Sequence, residues 1–390
     1  MTASHVGVAR AALAVAVLGA GGACGSPARP PALHVAPAPP AEVVHTIFLL
    51  GDAGVPTPQD PVLAALTAQV RARPERSTVV FMGDNIYPRG LPPVGDRGRP
   101  DAERRLTAQL DAARGAARVV FLGGNHDWAH GADDGWDAIR RQEGFIAEHG
   151  GPASVLLPGG GCPGPALADL GDGYRLVAID TQWWLHGGPK PLDPTSSCPA
   201  DSPGEVTAAL RQAVQHADGR GVVVVGHHPL LTGGPHGGYF SWRDHLFPLT
   251  AWKPWLWIPL PILGSAYPLA RNLGISRQDL SSGAYREMRD SLAAALGAAP
   301  PLLYASGHEH TLQVLDGEAF GVQLLVVSGA GAYQHTSGVA RLPETRYARG
   351  ASGFVQLELL GDARTRLGVV TVEADGTVRE DWAYWLEHGR

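Results

Sequence analysis

Five short motifs carry residue types that hold cations, and each follows an apolar run: Gly51-Asp52-Ala53-Gly54, Gly83-Asp84-Asn85-Ile86-Tyr87, Gly124-Asn125-His126-Asp127, Gly226-His227-His228 and Gly307-His308-Glu309-His310. A carboxylate has two oxygens and can bridge two cations, as a two-metal site requires. Asn125 offers an amide oxygen, and His227, His308 and His310 offer imidazole nitrogens, without adding negative charge. In an extended segment, residues two apart face the same way. His308 and His310 are therefore expected to reach one metal each, with Glu309 pointing away as a solvated or salt-bridged carboxylate. Singly, each has a plainer role: Asp52 as a turn or cap residue, His227 as a structural histidine at a strand end. As a set they point to a dinuclear metal centre built from Asp52, Asp84, Asn125, His227, His308 and His310.

The elements that must position these residues read as an α/β chain. Val-, Leu- and Ile-rich runs at 46–50, 78–82, 118–122, 174–179, 222–225, 302–305, 322–327 and 354–359 suit strands buried on both faces. Stretches 61–73, 101–114, 135–149, 204–218 and 281–297 have helical composition and spacing. The motifs then lie on loops after strands, where open α/β sheets place their sites. A hairpin is expected at the end, from 364–372 and 377–385 around Ala374-Asp375-Gly376. One folded domain, 43–390, is expected, without internal repeat.

Composition narrows the class. The 390 residues are 44% hydrophobic and 17% charged, with a net charge of -6. That describes a soluble globule and offers no basic excess for nucleic acid. The N-terminus departs from it. Arg10 precedes an apolar run at 11–23, too short to span a bilayer and suited to a signal-peptide core. It ends in Gly21-Gly22-Ala23-Cys24, which resembles a bacterial lipoprotein cleavage site without the usual leucine. The reading is a signal peptide at 1–24 and a Pro- and Ala-rich linker at 25–42. The protein would be exported, and either periplasmic or anchored to the membrane through lipidated Cys24. Cys162 and Cys198 remain as a pair for an oxidising compartment or as two free thiols.

The motif set resembles the calcineurin-like metallophosphoesterase superfamily, and within it the small, mammalian-type purple acid phosphatases, such as tartrate-resistant acid phosphatase. Tyr87, three residues after Asp84, carries the finer likeness, with Ile179-Asp180-Thr181, the stretch from Gly307 to Gln313, and Ser328-Gly329-Ala330-Gly331. The likeness runs over 46–333. It implies a four-layer α/β/β/α sandwich and two metal ions. Fe(III) would be held by Asp52, Tyr87 and His310, with Asp84 bridging. A divalent ion (Fe, Zn or Mn) would be held by Asn125, His227 and His308. His126 would face the substrate, joined by His236 at the family's spacing of nine residues after His227. Asp127 would either orient His126 or cap a helix. The implied reaction is hydrolysis of a phosphomonoester by attack of a metal-bound hydroxide. If Tyr87 only packs behind the site, a phosphodiesterase or nucleotide pyrophosphatase with non-iron metals is the alternative. A non-catalytic binding protein on the same fold is a third reading. His149, His186, His216, His245 and His335 lie in no motif and are expected on the surface or in loops.

A Trp- and Pro-rich insert at about 240–275 departs from the family pattern. It contains Trp242, Trp252, Trp255 and Trp257, and residues 254–270 carry no charge. Four prolines (Pro254, Pro259, Pro261 and Pro268) argue against a transmembrane helix. Three readings are open: a lid over the site, an interfacial loop at the bilayer headgroups beside the anchor, or a buried core or dimer segment.

Overall fold

The computed structural model describes residues 35–386, apart from 171–172, 193–195 and 252–254. The proposed leader, Cys24, most of the linker, and Trp252 and Pro254 of the insert lie outside the described residues.

Two seven-stranded mixed sheets form the body. In the first, β1 (Val43–Leu50), β2 (Ser77–Phe81), β3 (Arg118–Phe121) and β4 (Ser154–Leu156) run parallel. On the other side of β1 lie antiparallel β12 (Gly353–Leu360), β13 (Thr365–Val372) and β14 (Val378–Leu386), which include the expected hairpin. In the second sheet, β6 (Tyr174–Ala178), β7 (Gly221–Val225), β8 (Leu303–Ser306) and β10 (Leu324–Ser328) run parallel. Antiparallel β5 (Ala166–Asp169) closes one edge, and β9 (Leu312–Asp316) with β11 (Thr345–Arg349) the other.

Alternation along the strands sorts side chains into layers. Ile47, Leu49, Val80, Met82, Val120 and Leu122 of the first sheet meet Leu176, Val223, Val225, Leu303 and Val326 of the second in one fully buried core. The intervening residues Phe48, Leu50, Val79, Phe81 and Phe121 pack under α1 (Pro61–Ala72), α2 (Arg99–Ala112) and α3 (Gly135–His149), through Val62, Leu66, Leu106 and Ile139. Val222 and Val224 lie in the layer of α5 (Pro203–Gln215) and α8 (Gly283–Leu296). The result is the α/β/β/α sandwich expected from the sequence. Local signals set the helix starts. Asp60 accepts from the amides of Val62 and Leu63 ahead of α1, and Ser202 with Glu205 forms a capping box on α5.

Four short strands were not foreseen: β4, β5, β9 and β11. None has the long apolar run that marks a central strand, and β11 is an edge strand with half-exposed Thr345, Arg346, Ala348 and Arg349. Cys162 and Cys198 form a disulfide. His186, expected at the surface or in a loop, lies in a loop but is buried against Trp128.

Candidate metal centre

The C-terminal ends of β1, β2, β3, β7 and β8 bring the five motifs to one edge of the sandwich, where the two sheets meet. Three expected ligands have left-handed backbone: Asp52 at φ 59°, Asp84 at 54° and His308 at 66°. Non-glycine residues rarely adopt that region, and such conformations cluster at functional sites. Glycine makes the approach possible. A Cβ on Gly51 would lie 2.6 Å from the Gly307 Cα, so only two glycines let the β1 and β8 loops touch. Across that contact the His308 amide donates to Asp52 Oδ2 at 2.8 Å.

One half of the centre gathers around Tyr87. Its Oη lies 3.0 Å from Asp52 Oδ1, 3.1 Å from Asp84 Oδ2 and 3.2 Å from His310 Nε2. His310 Nε2 is 3.4 Å from Asp52 Oδ1. A phenol has one proton and cannot satisfy two carboxylates at once, so this cluster presents more lone pairs than protons.

The other half gathers around Asn125. Its Oδ1 is 3.0 Å from His227 Nε2 and 3.0 Å from His308 Nδ1. His227 Nδ1 donates to the Met82 carbonyl at 2.8 Å, and His308 Nε2 donates to the Gln278 carbonyl at 3.0 Å. These outer bonds fix each ring with its other nitrogen turned inward, where it can carry a lone pair toward a bound cation. Asp84 Oδ1 stands 3.4 Å from His227 Nε2. Four lone-pair carriers thus converge, an arrangement that suits a cation. Asp84 presents Oδ2 to the first cluster and Oδ1 to the second. The donor set fits two metal ions: oxygen-rich with a phenol on one side, nitrogen-rich on the other.

Charge agrees with geometry. Burial would raise the Asp84 carboxyl, but His227 and His126 outweigh it and hold it well below the usual range. Burial opposes the charged form of His227, yet Asp84 and Asp52 push it up to about 9. The pocket therefore attracts positive charge at His227, where a divalent ion could replace the proton. Burial first, and then Asp52 and Asp84, raise the Tyr87 phenol well above its ordinary value. A bound cation reverses such a shift by favouring the deprotonated ligand.

His126 stands at the rim. Its Nδ1 donates to the Pro88 carbonyl at 2.7 Å, which leaves Nε2 3.9 Å from Asp84 Oδ2. Its half-buried ring packs at a tilt against those of Tyr87 and His130, centroids 4.2 and 4.5 Å apart. It opens into a cavity of about 440 Å³ lined also by Arg89 and His130. His236 lies beside the second cluster, with its ring 3.9 Å from that of His308.

Several expectations change. Asp127 accepts from the backbone amides of Gly124, Asn85 and Ile86 and from Asn85 Nδ2, at 2.9–3.2 Å. Its bonds brace the Asp84 and Asn125 loops against each other, and the side-chain bond of His126 goes to Pro88 instead. Burial beside Asp84 pushes Asp127 up to about 7. Glu309 points away from the metal ligands, as expected, but it is buried rather than solvated and accepts from the His236 amide at 3.0 Å. His308 and His310 do serve different clusters. The left-handed turn at His308 separates them, not strand alternation.

Other residues escaped sequence reasoning. His228 is the second histidine of its motif and lies near His227 and His308. Both its nitrogens are engaged, by Thr181 Oγ1 at 2.8 Å and Gln278 Oε1 at 2.7 Å, so it braces the site. His335 packs its ring 3.9 Å from His310 and 5.0 Å from Tyr87. Arg271, from the end of the insert, and Asp279, just after it, both meet His236 Nδ1, at 3.1 and 3.0 Å. No short motif marks these positions.

Known proteins agree with this geometry at the level of fold. Among curated proteins none matches the sequence. Of solved structures, GAP50, the anchor in the inner membrane complex of Plasmodium, is similar at TM-score 0.52 and 16% identity, over 89% of each chain. The purple acid phosphatase PPD1 from yellow lupin (Lupinus luteus) seeds is similar at TM-score 0.53 and 14% identity. That likeness covers 90% of this chain and 55% of the lupin chain. The model of the calcineurin-like phosphoesterase family matches residues 45–256, more than half of the sequence, and the chain belongs to that family.

Proposed function

We propose that this site hydrolyses phosphomonoesters in the manner of a purple acid phosphatase. Fe(III) would be held by Asp52, Tyr87, His310 and one oxygen of Asp84. A divalent Fe, Zn or Mn ion would be held by Asn125, His227, His308 and the other oxygen of Asp84. The observation that carries the reading is the convergence of Tyr87 Oη on Asp52, Asp84 and His310 within 3.2 Å. Phenolate and carboxylate oxygens are hard ligands suited to a trivalent ion.

When bound, the metal pair supplies Lewis acidity toward the phosphoryl oxygens and a water of lowered pKa. The chain's own residues do the rest. His126 keeps Nδ1 on the Pro88 carbonyl and turns Nε2 toward the substrate, where it can donate to a phosphoryl oxygen or protonate the leaving alcohol. His236 adds a second ring beside His308, steadied by Asp279 and Arg271. Asp127 and His228 hold the loops in register.

The complete donor set supports an enzyme over a non-catalytic binder. The test is turnover of 4-nitrophenyl phosphate against bis(4-nitrophenyl) phosphate. Preference for the monoester is expected. Hydrolysis of the diester alone would favour the phosphodiesterase reading, and no turnover of either ester by metal-loaded protein would favour a binding role.

A further inference from the structure

The insert has two unlike faces. Its C-terminal end and the residues just after it, 276–280, are tied to the centre. The Gln278 carbonyl accepts from His308, Arg271 bonds Asp279 and His236, and the Leu280 amide donates to the His236 carbonyl at 3.0 Å. Its outer face is apolar and open to solvent. Trp242 of α6 (Trp242–Leu246) is 66% exposed, Trp255 72%, Ile262 90% and Leu263 74%, and Trp257 and Leu273 join them. Apolar side chains gathered this densely in one exposed segment mark a contact surface.

Charge decides what covers them. From Trp255 to Ala270 the sequence has no charged residue. Around that run, residues 239–280 carry Arg243, Lys253, Arg271 and Arg277 against Asp244 and Asp279, an excess of two positive charges in a chain of net -6. Asp279 is already taken by Arg271 and His236. The Arg243 guanidinium sits 5.6 Å from the Trp242 ring centroid, a cation beside an exposed indole. Tryptophans flanked by arginine match the headgroup layer of a bilayer, where an indole places its ring among apolar groups and its N–H in water. Among the described residues no helix is long and apolar enough to cross a membrane, so the contact would lie on the surface.

We propose that the outer face of this insert, around Trp242, Trp255, Trp257, Ile262 and Leu263, docks on an anionic lipid surface. The inference does not depend on the reaction the centre performs. Docking would hold the segment that bonds His236 and His308 near the lipid boundary.

The full chain is mixed with phosphatidylcholine vesicles containing phosphatidylglycerol and brominated acyl chains, and tryptophan fluorescence is followed. The first 34 residues contain no tryptophan, so insertion of the N-terminus alone gives no quenching. The wild type is expected to be quenched, with apparent affinity roughly tenfold or more weaker when phosphatidylglycerol is left out. The Trp242→Ser/Trp255→Ser/Trp257→Ser variant should lose most of the quenching and keep the wild-type melting temperature, because all three rings are exposed. No quenching of the wild type would overturn the proposal, as would quenching unchanged in the variant. Concentration-dependent dimerisation lost in the variant, without quenching, would assign the face to a second copy and overturn it too.

Discussion

Gly51→Ala tests whether the contact between the β1 and β8 loops holds the two metal clusters together. The new Cβ would sit 2.6 Å from the Gly307 Cα and 3.3 Å from the Ser328 carbonyl oxygen. Both are backbone atoms and cannot rotate away. Ordinary contact begins near 3.4 Å, so the loops must part by about 0.8 Å. That movement stretches the bond from the His308 amide to Asp52 Oδ2, now 2.8 Å, beyond hydrogen-bond length. It also separates Asp52 of the first cluster from His308 of the second. Overpacking of this kind costs about 1–3 kcal/mol of stability. A displacement near 1 Å in a positioned site costs roughly a hundredfold in turnover. The assay measures melting temperature, bound metal and kcat together. Gly144→Ala is the control, since Gly144 lies in α3 with no atom within 4 Å of an added Cβ. It should stabilise the protein by about 0.5–1 kcal/mol and leave turnover unchanged. A Gly51→Ala protein with wild-type metal content and wild-type kcat would refute the reasoning.

Three further outcomes follow from the same geometry. His126→Ala should retain both metals and lose roughly 10²–10⁴ in kcat, because His126 Nε2 faces the cavity from outside both clusters; loss of metal on this substitution would place His126 among the ligands. Asp84→Ala should abolish metal retention, since one carboxylate serves both halves, and a variant that keeps two equivalents of metal would contradict the bridging role. Burial pushes Asp180 up to about 6 from 3.8, against the pull of its bonds from Trp128 Nε1 and the Trp183 amide. A carboxyl raised in the fold favours folding at low pH and loses that contribution as pH rises through 6. Wild-type stability relative to Asp180→Asn should therefore fall by about 3 kcal/mol between pH 3.5 and pH 7, and a flat difference in denaturant titrations would show that Asp180 does not titrate in that range.

The sequence was most legible where strands are buried on both faces. Runs such as 222–225 have one reading as central strands, and five of them end at a residue suited to metal binding, so the ligand positions and the layer order followed together. Edge elements were harder to read. β11 is half exposed and polar, and β9 follows directly on the His308–His310 turn. Asp127 shows why adjacency misleads. It neighbours His126 in the chain, but the turn through 124–130 sends its carboxylate back to Asn85 and sends His126 out to the rim. Asp279, Arg271 and Gln278 reach the centre from the end of the insert and just after it, thirty or more residues after His236, and only the folded arrangement shows them there. Spacing gave no sign of His335 either, because its place against His310 depends on the loop after β10, which the Ser337 amide ties to the His310 carbonyl.

The most direct test is the visible absorption spectrum of the oxidised protein, with iron measured on the same sample, for wild type and Tyr87→Phe. A broad purple charge-transfer band with about one ferric ion per chain, lost on Tyr87→Phe while Asp52 and His310 remain, is the expected result. Colourless wild-type protein carrying two other metals would contradict the ferric assignment and leave Tyr87 as a packing residue beside a different metal pair.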